Sequence, residues 1–329
     1  MEIRIFSPDG RFSGICDRVI RFTAEEEFAG AGQFTLRVPL GEAERFRADS
    51  LLLFPAAEDA FVTECIRTDR DAGICEVSGR GILSLFSRRA LTEKITFAGA
   101  AEALLCRLAA EWGTAVLPVS LRTEETGADG AVNVGLGHRS LLGAMQDIAA
   151  EAGLGLRLSF LPGEREFLFS VREYRRGTVM LSPALGNLAG IRRTEDLSRY
   201  LNRIHVAGNG GHTVTVEAAG LFTDGIDDAA MPLREAWENA EDLAMERYAS
   251  EAEYRAALEA RGKRILAQRR PQITVSARTD SDTAARLRLG EICPIRDPAI
   301  AAEAVCVGRT LLYEGDGIVC RADLALRRA

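Results

Sequence analysis

The sequence is poor in histidine, in aromatic residues and in unbroken apolar runs, and each shortage removes a class of function. Only His138, His205 and His212 occur, and none has the H-E-x-x-H spacing that sets two imidazoles on one metal, so a zinc hydrolase is disfavoured. His205 and His212 flank one turn and could approach across a hairpin, with strand-surface residues as the simpler alternative. Aromatic residues are 6% of the chain, with no Trp/Tyr cluster, which speaks against a sugar-stacking platform. No stretch approaches the roughly 20 apolar residues of a spanning helix; the nearest, Ala100 to Trp112, carries Glu102, Arg107 and Glu111. The N-terminus, Met1-Glu2-Ile3-Arg4-Ile5-Phe6, alternates polar and apolar residues, unlike a signal peptide. A soluble chain without a membrane span is expected.

Positive charge is also in deficit. Lys and Arg total 41 against 48 Asp and Glu, a net charge of -7, the wrong sign for gripping nucleic acid through phosphate neutralisation. Arg269, Arg270, Arg327 and Arg328 are clustered and read as a solvated face. The seven cysteines, Cys16, Cys65, Cys75, Cys106, Cys293, Cys306 and Cys320, are odd in number and include no C-x-x-C pair, so neither a zinc ribbon nor a dithiol redox motif is spelled out. Several alternate with apolar residues, as in Val305-Cys306-Val307, the habit of a buried cysteine used as a small hydrophobe. Reduced thiols and cytoplasmic synthesis are expected.

Catalytic motifs are missing in the same way. There is no G-x-S-x-G elbow, and Gly208-Asn209-Gly210-Gly211 lacks the Gly-Lys-Ser/Thr of a phosphate loop. Carboxylate pairs for sugar hydrolysis stay open, because so many acids are present that no pair can be named. Cys106 sits in a helical apolar pattern and reads as a structural thiol. No catalytic, cofactor-binding or metal-binding residue is assigned, no cofactor is expected, and the chain is read as not an enzyme.

What is present is a globular balance of 47% hydrophobic and 27% charged residues over 329 positions, more than one core normally serves. Residues 1–95 read as an N-terminal β-barrel-like domain, with alternating strands at 34–39, 60–66 and 74–79 and turn punctuation between them. Residues 96–178 read as a small α/β domain. Its first helix is marked by Leu104, Leu105, Leu108 and Trp112, and its second follows Ser140 and ends at Gly153. A hairpin turning at Pro162-Gly163 comes next. Residues 179–225 and 271–329 read as a second barrel-like domain, entered through the hairpin Arg203–Val216 and closed by strands near 289–295, 304–313 and 318–326. Residues 226–270 read as a helical insertion, where Ser250-Glu251-Ala252-Glu253 spells a capping box and Pro271 ends the helix.

With this order in hand, the chain resembles the siphovirus ReqiPepy-type tail proteins, relatives of phage baseplate hub proteins, from end to end. The resemblance rests on Gly32-Gln33-Phe34-Thr35-Leu36-Arg37-Val38-Pro39 and on Val77-Ser78-Gly79-Arg80-Gly81-Ile82-Leu83-Ser84-Leu85-Phe86-Ser87-Arg88-Arg89. It also rests on Ser182–Leu188, Tyr200–Gly208, Leu258–Leu266 around Gly262, and Leu289-Gly290-Glu291-Ile292-Cys293, where Glu291 replaces the more usual Asp. It implies an α+β, β-rich, multi-domain fold with two barrel-like domains, an intervening α/β domain and a helical insertion. It further implies a homotrimer whose six barrels form a pseudo-sixfold ring at a baseplate or tail tip, next to tail-tube, distal-tail and tail-tip proteins. DNA would pass through the ring without specific binding, and synthesis in the bacterial cytoplasm would precede assembly into the virion tail. Two other readings compete, a tail-associated cell-wall hydrolase and a receptor- or carbohydrate-binding tail module. The first lacks a catalytic motif and an appended domain, and the second lacks aromatics.

Overall fold

The computed structural model describes residues 1–222, 226–296, 302–315 and 317–328, with backbone only at 189–193, 272–278, 302 and 326–328. The first strands are β1 (Ile3–Phe6), β2 (Phe12–Cys16), β3 (Arg21–Glu27), β4 (Gln33–Pro39), β5 (Leu51–Leu53), β6 (Phe61–Asp69) and β7 (Ile74–Gly81). Their period of two is plain in β4, where Phe34, Leu36 and Val38 are buried and Gln33, Thr35 and Arg37 exposed. Gly79 and Gly81, from the glycine motif noted above, allow close backbone approach. A Cβ on Gly79 would stand 1.9 Å from the Val62 carbonyl oxygen, and one on Gly81 1.9 Å from that of Ala31.

Next come β8 (Ala90–Leu91), β9 (Ile95–Ala100), α1 (Ala101–Leu108), β10 (Ser120–Thr123), β11 (Ala131–Leu136), β12 (Arg139–Ser140), α2 (Leu141–Ala152), β13 (Gly155–Leu161), β14 (Glu166–Arg172) and β15 (Arg175–Arg176). Leu104, Leu105 and Leu108 of α1 and Met145 and Ile148 of α2 meet Phe167 and Phe169 of β14 in one core. The ends of α2 follow the expected chemistry: Ser140 Oγ accepts from Gly143 N, and Gly153 closes the helix in the left-handed conformation at φ 67°. Glu102, in the first turn of α1, is buried and accepts from Thr126 N and Oγ1, Gly127 N and Ala128 N at 2.6–2.9 Å. A carboxylate with that many donors pins the 124–128 loop to the helix.

The chain then runs through β16 (Ala189–Asp196), β17 (Arg203–Ala207), β18 (Thr213–Glu217), β19 (Glu235–Asn239), α3 (Glu251–Gln268), β20 (Gln272–Arg278), α4 (Ser281–Arg286), β21 (Glu291–Pro294), β22 (Ala302–Tyr313) and β23 (Ile318–Arg328). The C-terminal strands do not form a sheet of their own. The large sheet has the order β15-β21-β22-β3-β4-β7-β6-β5-β1-β2, with β23 also paired to β22. Residues 1–191 and 277–327 make one compact unit, and 192–276 the other. The four-part division expected from sequence therefore differs from the compact units, because β22 takes β3 as a partner at Gly308↔Glu27 through Tyr313↔Phe22.

One order of elements occurs twice along the chain, the second time opening with β16 and β20, which pair as a two-stranded sheet apart from the large one. β3 and β4 pair, a 3₁₀ turn at Leu40–Arg45 follows, and then come short β5, a connection at 54–60, long β6, a turn at 70–73 and β7. Likewise β16 and β20 pair, α4 follows, and then come short β21, long β22 and β23, with seven residues between β21 and β22 and four between β22 and β23. Both spacings equal those of the first. Residues 197–271 stand where residues 28–32 join β3 to β4, so the second succession is split by an insertion.

That insertion is the second compact unit, and it is larger than the expected 226–270. Strands β17 and β18, expected in the second barrel, pair antiparallel here, and β19 joins β17 in parallel. Ile204, Val206 and Val216 cluster with Tyr254, Leu258 and Leu266 of α3, a core separate from the large sheet, which is why the hairpin stays with the helix. Gly262 permits the approach, since a Cβ there would stand 2.7 Å from Val216 Cγ2. Ser250 Oγ accepts from Glu253 N at 3.2 Å, and Glu253 reaches back to Ala249 N at 3.0 Å, the capping box displaced by one residue on its return bond.

Candidate assembly surfaces

The contact between β22 and β3 places charge inside the sheet. Phe22, Ala24 and Glu26 alternate as the buried residues of β3, and Arg309 stands directly across from Glu26, so both side chains occupy inward positions. Arg309 lies 3.3 Å from Glu26 Oε2 and 3.1 Å from Glu58 Oε1. Glu26 Oε1 also accepts from Glu58 N at 2.5 Å and Asp59 N at 3.2 Å. From the α/β lobe, Arg172 of β14 reaches Asp59 at 2.7 Å and Glu58 at 3.7 Å, and Arg157 of β13 comes within 3.6 Å of Asp59. Two buried guanidiniums and three carboxylates thus tie β3, β22, the 54–60 connection and the lobe together.

Burial pushes the Glu26 carboxyl up to about 7, with Arg309 pulling it back and Asp59 and Glu58 opposing that pull. Burial likewise raises Asp59 against the lowering effect of Arg172 and Arg157. Removing one member of such a set leaves an uncompensated charge, which costs far more than the intact network gains. Its carboxylates face guanidiniums, and Arg309 also donates to the buried Cys320 sulfur at 3.8 Å, a thiol that burial holds above its usual range.

Beside it lies a cleft of about 780 Å³ lined by Arg157, Arg172, Arg175, Arg176 and Arg288 and by Glu58, Glu124, Glu173 and Glu291, among others. The signs nearly balance, and neither histidine nor cysteine lines it. Glu291, the residue that departs from the resembled motif, accepts from Arg288 N at 2.9 Å at the entry to β21. The Ser182–Leu188 motif is also self-bonded: Asn187 accepts from Ser182 N at 2.9 Å and donates to the Met180 carbonyl at 2.8 Å.

In the second unit, Tyr200 donates to Asp228 at 2.5 Å, Arg270 pairs with the same oxygen at 2.5 Å, and the Arg270 guanidinium stands 4.5 Å from the Phe222 ring centre. Burial, then the bond to Asp228, pushes the Tyr200 hydroxyl up to about 12. Asn202 accepts from Arg234 N at 2.8 Å and donates to Pro232 O at 3.1 Å. The Tyr200–Gly208 motif is thus a set of loop anchors.

The structure does not bring the two histidines together. His205 bonds Thr215 at 2.9 Å and lies against Trp237 with the rings tilted by 30°, whereas His212 lies 3.5 Å from Glu251 and edge-on to Tyr254. No group of metal-ligating side chains occurs among the described residues. Of the clustered arginines, Arg270 is turned inward to Asp228, and the side chains of Arg327 and Arg328 lie outside the described residues. Cys106 is buried in α1, and burial pushes its thiol up to about 11.

Three solved structures share this arrangement over nearly their whole length. A tail protein from Neisseria meningitidis MC58 is 15% identical with a TM-score of 0.62, covering 98% of this chain and 95% of its own. The 43 kDa tail protein of prophage MuSo2 from Shewanella oneidensis is 10% identical with a TM-score of 0.61, covering 100% and 98%. Prophage tail protein gp18 from Listeria monocytogenes EGD-e is 12% identical with a TM-score of 0.56, covering 99% and 94%. The fold is that of a phage tail protein. No family model matches the chain, and no curated protein does. No helix among the described residues is long and apolar enough to cross a membrane.

Glu26 and Arg309 escaped the sequence reading. Glu25-Glu26-Glu27 looks like a solvated acidic run, yet the alternation Phe22, Ala24, Glu26, Phe28 turns the middle glutamate inward. That parity was the available signal.

Proposed function

We propose that the chain is a structural, non-enzymatic component of a phage or prophage tail, a baseplate or tail-tip hub that self-associates into a ring and connects the tail tube to the tip. The observation that carries this reading is the twofold use of one strand succession within a fold shared with phage tail proteins. Two related modules per chain give a trimer six similar faces, which suits a junction between a threefold tip and a sixfold tube, and cyclic closure asks each chain for two different complementary surfaces. The barrel-like character of both modules belongs to this reading, as do tail-tube, distal-tail and tip partners and assembly into the virion after cytoplasmic synthesis.

The net charge of -7 fits a ring through which DNA passes, since like charge lowers retention. Tight duplex binding by the purified chain at about 0.15 M salt would contradict that part. The role itself is tested on particles: an antibody to the chain is expected to mark the tail tip in electron micrographs. Tails complete and infectious without the chain would end the proposal.

A further inference from the structure

Strand β6 is paired along its whole length on one edge and only at its start on the other. It pairs with β7 along Phe61–Asp69, and its second edge meets β5 at Phe61 and Val62. Two bonds at Thr63, with Asp49 N and Ser50 O, extend that contact by one residue. From Glu64 to Asp69 no second strand pairs with β6 among the described residues, and Glu64, Arg67, Thr68 and Asp69 are exposed. An open edge is a template for another strand.

The side chains of this stretch select its partner. Ile66 stands opposite the buried Val77 and turns to the core side, so Cys65 and Arg67 turn to the outer face. On that face Arg37 of β4 donates to Glu76 of β7 at 2.8 Å, and Arg67 lies 3.8 Å from Glu76. A row of alternating charge thus crosses β4, β7 and β6 and ends at Arg67, which is 77% exposed. The charge that continues the row is a carboxylate, and β6 itself holds one at Glu64, bonded to Arg80 at 2.7 Å.

We propose that the edge of β6 at Glu64–Thr68 pairs antiparallel with the same edge of a second copy, about a twofold axis at Ile66. Opposed residues of antiparallel strands share a face, so the axis falls on a residue rather than between two. At Arg67 it would oppose two guanidiniums, and at Thr68 it would run past the end of the strand at Asp69. At Cys65 it would need the Thr63 edge that Asp49 and Ser50 occupy. At Ile66 it sets Arg67 of each copy opposite Cys65 and next to Glu64 of the other. The row of charge then runs on from Arg67 to Glu64 and Arg80 of the second copy. Main-chain hydrogen bonds supply affinity, as in other strand additions. The contact is isologous, one surface used twice, so it stands apart from the ring reading, which needs two different surfaces.

The test is sedimentation of the full chain across a concentration series, for the wild type, Arg67→Glu, Cys65→Lys and a one-to-one mixture of the two variants, with the Tm of each. Both positions lie on the outer face of an open strand, so each variant is expected to keep the wild-type Tm. Each alone sets like charges together twice across the axis and is expected to associate at least about tenfold more weakly than the wild type. Their mixture is expected to regain the lost affinity, because the introduced ammonium then faces the introduced carboxylate. No loss of fold produces recovery on mixing. A wild type that is monomeric at every concentration overturns the contact, as does a variant that associates like the wild type or a mixture as weak as its parts. A trimer whose mass neither variant changes overturns this contact and leaves the ring reading standing.

Discussion

The two strand successions share their order of elements but not their filling. The first is packed with aromatic rings: Phe22, Phe34, Phe54 and Phe61 lie within 4.2–5.6 Å of one another in successive pairs. The second contributes small side chains to the same core, among them Cys293, Ala304, Cys306, Cys320 and Ala322. Its long strands are longer, Ala302–Tyr313 and Ile318–Arg328 against Phe61–Asp69 and Ile74–Gly81. Both bury leucines, as at Leu36 and Leu311, but the ring-to-ring contacts of this core belong to the first. The architecture thus depends on strand order and turn length more than on any particular core residue.

The largest effect should come from the aromatic side. Phe61→Ala removes a ring that is 1% exposed and is expected to cost about 3–5 kcal/mol, read from urea midpoints at constant slope. A cost near that of an alanine replacement in the second succession would break the contrast.

Next comes the joint between the two. Arg309→Met keeps the volume and removes the cation facing Glu26 and Glu58, with an expected loss of about 3 kcal/mol or more at pH 8. The loss should shrink at pH 5, where Glu26 takes up a proton. The same group gives a pH slope in the unmodified protein. Its carboxyl is raised from 4.5 to about 7 on folding, so its contribution is fully present below pH 4.5 and is lost as pH rises through 7, by at most about 3 kcal/mol. Glu26→Gln should flatten stability between pH 5 and 8. An unchanged slope in that variant would place the titration elsewhere.

How much of this was legible in sequence depends on the range of the interaction. Local signals were readable: Ser140 and Gly153 bound α2, Ser250 and Glu253 cap α3, and strand alternation ends at Tyr313 and resumes at Ile318 in β22 and β23. The β-rich fold shared with tail proteins was legible as well. The insertion was not read in full, because Arg203–Val216 has the same alternation whether its apolar side meets a sheet or a helix. Only the packing of Val216 against Gly262 decides it. The Glu26–Arg309 joint links residues far apart in the chain, and strand alternation shows which way each points without naming its partner.

The smallest effect belongs to the small-residue side. Cys306 is buried in β22 with its sulfur 3.5 Å from the Gly308 carbonyl, and burial pushes its thiol up to about 12. Cys306→Ala removes one sulfur from a site already built of small groups, so about 1 kcal/mol is expected. A thiol held that far above neutral pH presents almost no thiolate, so alkylation of the folded chain should spare Cys306 and modify the half-exposed Cys65 of β6 first. Peptide mass mapping after brief iodoacetamide treatment reads both sites at once. Equal labelling would mean that the second succession opens as readily as an edge strand, and that its small-residue packing does not hold β22 as closely as the aromatic cluster holds β6.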